Sequence, residues 1–140
     1  MDNKQWWKQL KPFRLAPNWK IMWNKLDNIE PDDVKPDDDA WLCTFVEDMT
    51  YIITECTYKK NKKTMKHTLA VDLGWYPEGD IKGCYHLMAV LDNDWNQPLL
   101  EMQTRSTQKV ADTIELWTFE ALADWQNRIY LNDNKSKISN

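Results

Sequence analysis

Glycine is scarce in this chain, with three in 140 residues. That is too few for a glycine-rich phosphate cradle, and the nucleophile-elbow and paired-histidine zinc motifs are absent as well. Histidine is scarcer still, with only His67 and His86, so a mechanism needing a base near neutral pH has two candidates. The cysteines, Cys43, Cys56 and Cys84, are odd in number and widely spaced. They fit neither a disulfide framework nor a metal knuckle, and reduced thiols are the expectation. No apolar run reaches the length of a membrane span, and the first residues, MDNKQWWKQLKPF, hold no uninterrupted apolar segment or small-residue cleavage site. A soluble, cytoplasmic chain is expected.

Tryptophan is in excess, with nine residues. Each offers a large apolar body and one N–H that wants a partner, so the number points to an aromatic core or to an interface rich in anchors. A length of 140 residues fits one domain, able to bury about two thirds of the surface its unfolded chain exposes. The net charge of −4 is modest but unevenly placed. Between Asp27 and Asp48 nine acidic residues face one lysine, Lys35, whereas Lys59, Lys60, Lys62, Lys63 and Lys66 follow in one short stretch. Asymmetry of this kind bears on partners rather than on fold.

The clearest local pattern is Thr68 to Asp92. Leu69, Val71 and Leu73 alternate with Ala70, Asp72 and Gly74, and Tyr85, Leu87, Ala89 and Leu91 alternate with Cys84, His86, Met88 and Val90, the period of paired strands. Pro77, Gly79 and Gly83 mark the reversal between them, supplying one fixed φ and two positions open to positive φ. Upstream, Trp6, Leu10 and Phe13 share a face of a short helix that Pro12 should end. Trp19, Ile21 and Trp23 alternate with Lys20, Met22 and Asn24 as a first strand with one aromatic face. Glu30 to Asp39, EPDDVKPDDD, is a loop.

From Ala40 two readings compete. Leu42, Phe45, Val46, Met49, Ile52 and Ile53 fall at helical spacing, while Tyr51 to Tyr58 is β-branched and aromatic. We assign a short helix to Asp38–Phe45, capped by Asp38 or Asp39, and a strand to Met49–Tyr58, with a single helix through Ile53 as the competitor. Lys59–Lys63 then forms a hairpin tip, with Asn61 able to take a left-handed position, into a strand beginning near His67. A further strand is expected in Pro98–Arg105. Ser106 or Thr107 caps a last helix whose stripe of Val110, Ile114, Trp117, Ala121 and Trp125 packs on the sheet, with Asp124 and Arg128 paired on its exposed side. Short connections favour an antiparallel meander. The expected fold is α+β: a sheet of about five strands with a C-terminal helix on one face and a short N-terminal helical segment. It forms one domain over 1–131, followed by a frayed polar tail over 132–140.

Few constellations suggest chemistry. His86 shares a strand face with Cys84, but side chains at i and i+2 stand about 7 Å apart, too far for the hydrogen bond that activates a thiol. A small hydrolase using His86 with Cys84 or Asp72 is the enzyme alternative. The aspartates of the acidic loop lack the alternation and terminal glutamate of a calcium loop, and Pro36 interrupts them, so no metal is expected, nor any cofactor. The lysine run with Trp19, Trp23 or Trp75 suggests a nucleic-acid or carbohydrate binder, against which stands a sequence pI of about 5.2.

Val71 to Asp80, VDLGWYPEGD, with Gly83 and the apolar strand behind it, resembles immunity proteins of bacterial polymorphic toxins, in particular those of contact-dependent growth inhibition systems. Glu47-Asp48-Met49 leading into a strand, and a C-terminal helix from near Thr107, extend the resemblance over about Trp19 to Trp125. It implies a small cytoplasmic α+β protein, with no catalysis of its own, that binds the C-terminal domain of one cognate toxin, often a nuclease, and blocks it. A nuclease grips phosphate with Lys and Arg, so an acidic inhibitor surface gains association rate and specificity, and an aromatic anchor adds contact area. The expected contacts are Asp32, Asp33, Asp37, Asp38, Asp39 and Trp41, then Glu47 and Asp48. Neither direct nucleic-acid contact nor a membrane is implied.

Overall fold

The computed structural model describes residues 9–138. Five strands, β1 (Lys20–Asn24), β2 (Thr50–Lys60), β3 (Lys63–Tyr76), β4 (Cys84–Leu91) and β5 (Leu100–Thr104), pair in sequence order as an antiparallel meander. The alternation expected for β3 and β4 holds: Leu69, Val71, Leu73, Trp75, Tyr85, Leu87 and Ala89 are all buried on one face. β2 and β3 are the long pair, joined by a two-residue turn in which Asn61 (φ 55) and Lys62 (φ 66) both take positive φ between the partners Lys60 and Lys63. That is the turn whose twist matches a tight hairpin, and it starts β3 earlier than the expected position near His67.

β1 corrects the expected aromatic face. Its register against β2 shifts between Ile21 and Trp23, so Ile21 opposes Ile52 while Trp23 opposes Tyr51. A bulge adds a residue to one strand and so reverses the alternation beyond it. Ile21 and Trp23 therefore lie opposite successive β2 residues, which point to opposite faces of the sheet.

Residues 25–49 wrap one end of the sheet and carry helix α1 (Ala40–Cys43), shorter than expected. Asp39 is its N-cap without a side-chain cap bond, whereas Asp38 Oδ1 accepts the Ala40 N–H at 2.9 Å. The strand reading prevails over the single helix through Ile53, because Ile52 and Thr54 are buried on the core face of β2 while Tyr51 and Ile53 face the other way. The turn from β3 to β4 positions Gly79 at φ 72. Gly83, expected to do the same, is needed instead for close approach: a Cβ there would meet Tyr76 O at 2.6 Å and Trp75 Nε1 at 2.7 Å.

Helix α2 (Thr107–Leu116) begins where three acceptors meet its free N–H groups. Ser106 Oγ accepts from Lys109 N at 3.0 Å, and the Glu30 carboxylate accepts from Thr107 N at 2.8 Å and Gln108 N at 3.0 Å. The expected continuous stripe is interrupted after Trp117. A π-helical segment, Trp117–Ala121, inserts an extra residue, with Leu122 N donating to Trp117 O at 2.8 Å. Leu122 is consequently buried and Ala121 exposed, while Val110, Ile114, Trp117 and Trp125 face the core as expected. Helix α3 (Trp125–Ile138) follows and carries helical backbone past Leu131. The Arg128 guanidinium donates to Ala121 O at 3.1 Å rather than pairing with Asp124. One cluster joins these helices to the inner sheet face and to Leu26, Val34, Trp41, Phe45 and Met49 of the wrapping segment. Gln9 has helical backbone, but Leu10 forms a β-bridge with Asp27 and Phe13 packs on the core from a non-helical segment, so the expected shared face does not extend to them, and Trp6 lies outside the described residues.

Candidate partner-binding surface

The core cluster takes one face of the sheet, and no residue of the opposite face belongs to it. On that opposite face the register draws a row straight across the strands: Trp23 opposes Tyr51, Tyr51 opposes Asp72, Asp72 opposes Met88, and Met88 opposes Glu101. Directly opposed side chains stand about 5 Å apart. The Trp23 and Tyr51 rings are stacked at 4.8 Å with an interplanar angle of 21°. Trp23 remains 43% exposed.

Asp72 is the unusual member. Burial, and after it the Asp48 carboxylate, push its pKa up to about 6, as expected when a charge is desolvated without a counter-ion. Neither Asp72 nor Asp48 has a hydrogen-bond or ion-pair partner among the described residues. Next along β3 on this face, Tyr76 packs edge-on against His86 at 5.1 Å. Burial raises its hydroxyl's pKa, and the Asp72, Glu47, Asp48 and Glu78 carboxylates add to the rise, so this end of the face carries a negative field. Glu78 Oε1 accepts the Glu47 N–H at 2.9 Å and ties the two entry segments together.

The residues expected from the sequence divide. Glu47 and Asp48 belong to the acidic end of this face. Asp33, Asp37, Asp38 and Asp39 are exposed on the wrapping segment. Asp32 is held by Arg105, whose Nε and Nη2 donate to Oδ1 at 3.1 and 2.9 Å. Arg105 also reaches the carbonyls of Ile81 and Gly83 and lies over the Trp75 ring, so Asp32 helps lock the wrapping segment to the β3–β4 turn. Trp41 is 5% exposed, packed on Phe45 and Trp75, with Nε1 donating to Lys35 O at 2.9 Å. Its indole is core, and the exposed anchor beside the acids is Trp23.

Sequence reasoning placed Trp23 and Asp72 only in rival readings and passed over Tyr51, Tyr76 and Glu78. The available signal was Asp72 itself, a carboxylate in mid-strand between Val71 and Leu73.

For the enzyme alternative, Cys84 Sγ donates to Gln103 Oε1 at 3.8 Å, and His86 makes no hydrogen bond to Cys84 or Asp72. The histidine with a carboxylate is His67, whose Nδ1 lies 2.7 Å from Asp92 Oδ2 and whose Nε2 lies 3.4 Å from the Tyr58 hydroxyl. Asp92 Oδ1 also accepts the Thr68 N–H at 2.8 Å, so this carboxylate ties the end of β4 to the middle of β3. Among the described residues no group of three or more His, Cys, Asp or Glu can hold a metal ion, and no helix is long and apolar enough to cross a membrane. No protein-family model matches the chain, and no curated protein or solved structure does.

Proposed function

We propose that this chain is an immunity-type protein that binds the C-terminal domain of a cognate toxin, a basic nuclease, and neutralises it by stoichiometric occlusion. The observation that carries the reading is acidity beside exposed aromatics: Asp72, partly buried and with no cation paired to it among the described residues, opposes Tyr51 of the Trp23–Tyr51 stack, and the Asp48 carboxylate acts on it. A carboxylate that is partly desolvated and unpaired raises the energy of the free protein, and a partner's cation relieves it. Acids at a rim steer a cationic partner into encounter, while aromatics supply the area that resists dissociation. Asp33, Asp37, Asp38 and Asp39 extend the negative field on the wrapping segment and contribute steering. The resemblance over Val71 to Asp80 agrees in kind, its Gly74, Trp75 and Gly79 being scaffold positions beneath this surface.

Co-expression with the C-terminal domain of the toxin encoded beside this chain tests the reading. Growth should be rescued and the two proteins should co-elute one to one. Charge reversal at Asp37, Asp38 and Asp39 should slow association about tenfold at low salt and much less at high salt. Continued toxicity with the folded chain present in excess would sink the proposal.

A further inference from the structure

Building on that reading of a basic partner, we infer that Tyr51, Asp72 and Met88 form a socket for one arginine side chain of the partner, with Trp23 stacked behind Tyr51 as its outer wall. The register puts these groups side by side across β1, β2, β3 and β4. Trp23, on the edge strand, covers the outer face of the Tyr51 ring, which leaves the other face of Tyr51, the one turned to Asp72 and Met88, for a planar cation. Beyond Tyr51 stands Asp72, with Asp48 close enough to act on it electrostatically and no cation of this chain paired with it among the described residues.

The chemistry selects arginine over lysine. A guanidinium stacks flat on an indole or phenol ring while presenting two parallel N–H groups to a carboxylate at its edge. Its weaker hydration makes transfer onto a half-buried surface less costly than for an ammonium. The Met88 thioether suits the aliphatic stem and adapts its shape to it. Potential is complementary as well, because Glu101 continues the row and Glu47 and Glu78 flank it, all acidic. An arginine finds this patch pre-charged, and an acidic segment is repelled by it.

The test uses the full chain and capped hexa-arginine as probe, with capped hexa-lysine, free arginine and hexa-glutamate as comparisons. Binding is followed by the indole N–H resonances and by affinity at low salt. The Trp23 indole should shift with hexa-arginine, D72N and W23A should each weaken binding about tenfold or more, and D37N/D38N/D39N should weaken it less than about threefold. Hexa-lysine should bind several-fold more weakly and hexa-glutamate not at all, with free arginine shifting the same indole at much higher concentration. An unmoved Trp23 indole, or D72N and W23A binding like the parent, overturns the socket. So does sedimentation showing that the chain fills the site with a second copy of itself. The two proposals fail separately. Toxin neutralised equally by D72N and W23A overturns the socket alone, and a tight arginine site in a chain that rescues no cell overturns the immunity reading alone.

Discussion

Gly74→Ala is expected to cost about 3 kcal/mol or more of stability, lowering the melting temperature by about 10 °C or more. Gly74 sits in the central strand β3 beside the last residues of the wrapping segment, and a Cβ there would lie 2.1 Å from the Glu47 carbonyl oxygen and 2.7 Å from Tyr76 Cε2. The Glu47 carbonyl cannot step aside cheaply. Val46 O accepts the Trp75 N–H at 2.8 Å, and Met49 N donates to Leu73 O at 3.0 Å, so hydrogen bonds clamp the backbone on both sides of the clash. Relief requires breaking one of them or swinging Tyr76 off the face. Urea titration measures the loss, and a midpoint equal to that of the parent would show the clamp to be wrong.

Asp72→Asn is expected to do two opposite things. Burial and then the Asp48 carboxylate push the native carboxyl up to about 6, from an ordinary value of 3.8. Between those values the folded protein holds a proton that the unfolded chain has released, so folding is favoured at the acid end and stability falls as pH rises through the window. A shift of that size corresponds to about 3 kcal/mol for a fully buried group, but this carboxyl is partly exposed and solvent screening reduces it to about 1 kcal/mol. D72N removes the ionisation and should stabilise the protein by about that amount at pH 7.5, with little difference near pH 4. At neutral pH it should also weaken partner binding. Equal urea midpoints for variant and parent at both pH values would contradict the assigned environment. Perturbed, unpaired groups of this kind cluster at functional sites, which is why Asp72 anchors the proposed surface.

Much of the fold was legible because the sheet's inner face is written in period two. Leu69, Val71 and Leu73 need only local alternation to declare their side, and the helix start at Ser106 needs only its cap. Two features depended on contacts that no local pattern encodes. The bulge at β1 flips Trp23 to the opposite face from Ile21, which created the aromatic stack with Tyr51 and hid it from a simple alternation. The π-helical segment replaces Ala121 by Leu122 in the core, an extra residue that helical periodicity has no term for. The candidate site was legible in its charge and not in its place. Counting acids drew attention to Asp32 through Asp39, yet Asp32 is occupied by Arg105 and Trp41 is core. The field around Tyr76 joins Glu47 and Asp48 to Asp72 and Glu78, two pairs far apart in sequence that the pairing of β2 with β3 brings to one end of the sheet.

The most direct test of the central claim is the association rate of this chain with the toxin's C-terminal domain, measured from low to high salt for the parent and for D48N/D72N. The account predicts a one-to-one complex whose association slows steeply with salt. It also predicts that D48N/D72N binds about tenfold or more weakly at low salt while remaining folded. A complex that forms at the same rate at every salt concentration, with the double variant indistinguishable from the parent, would contradict it.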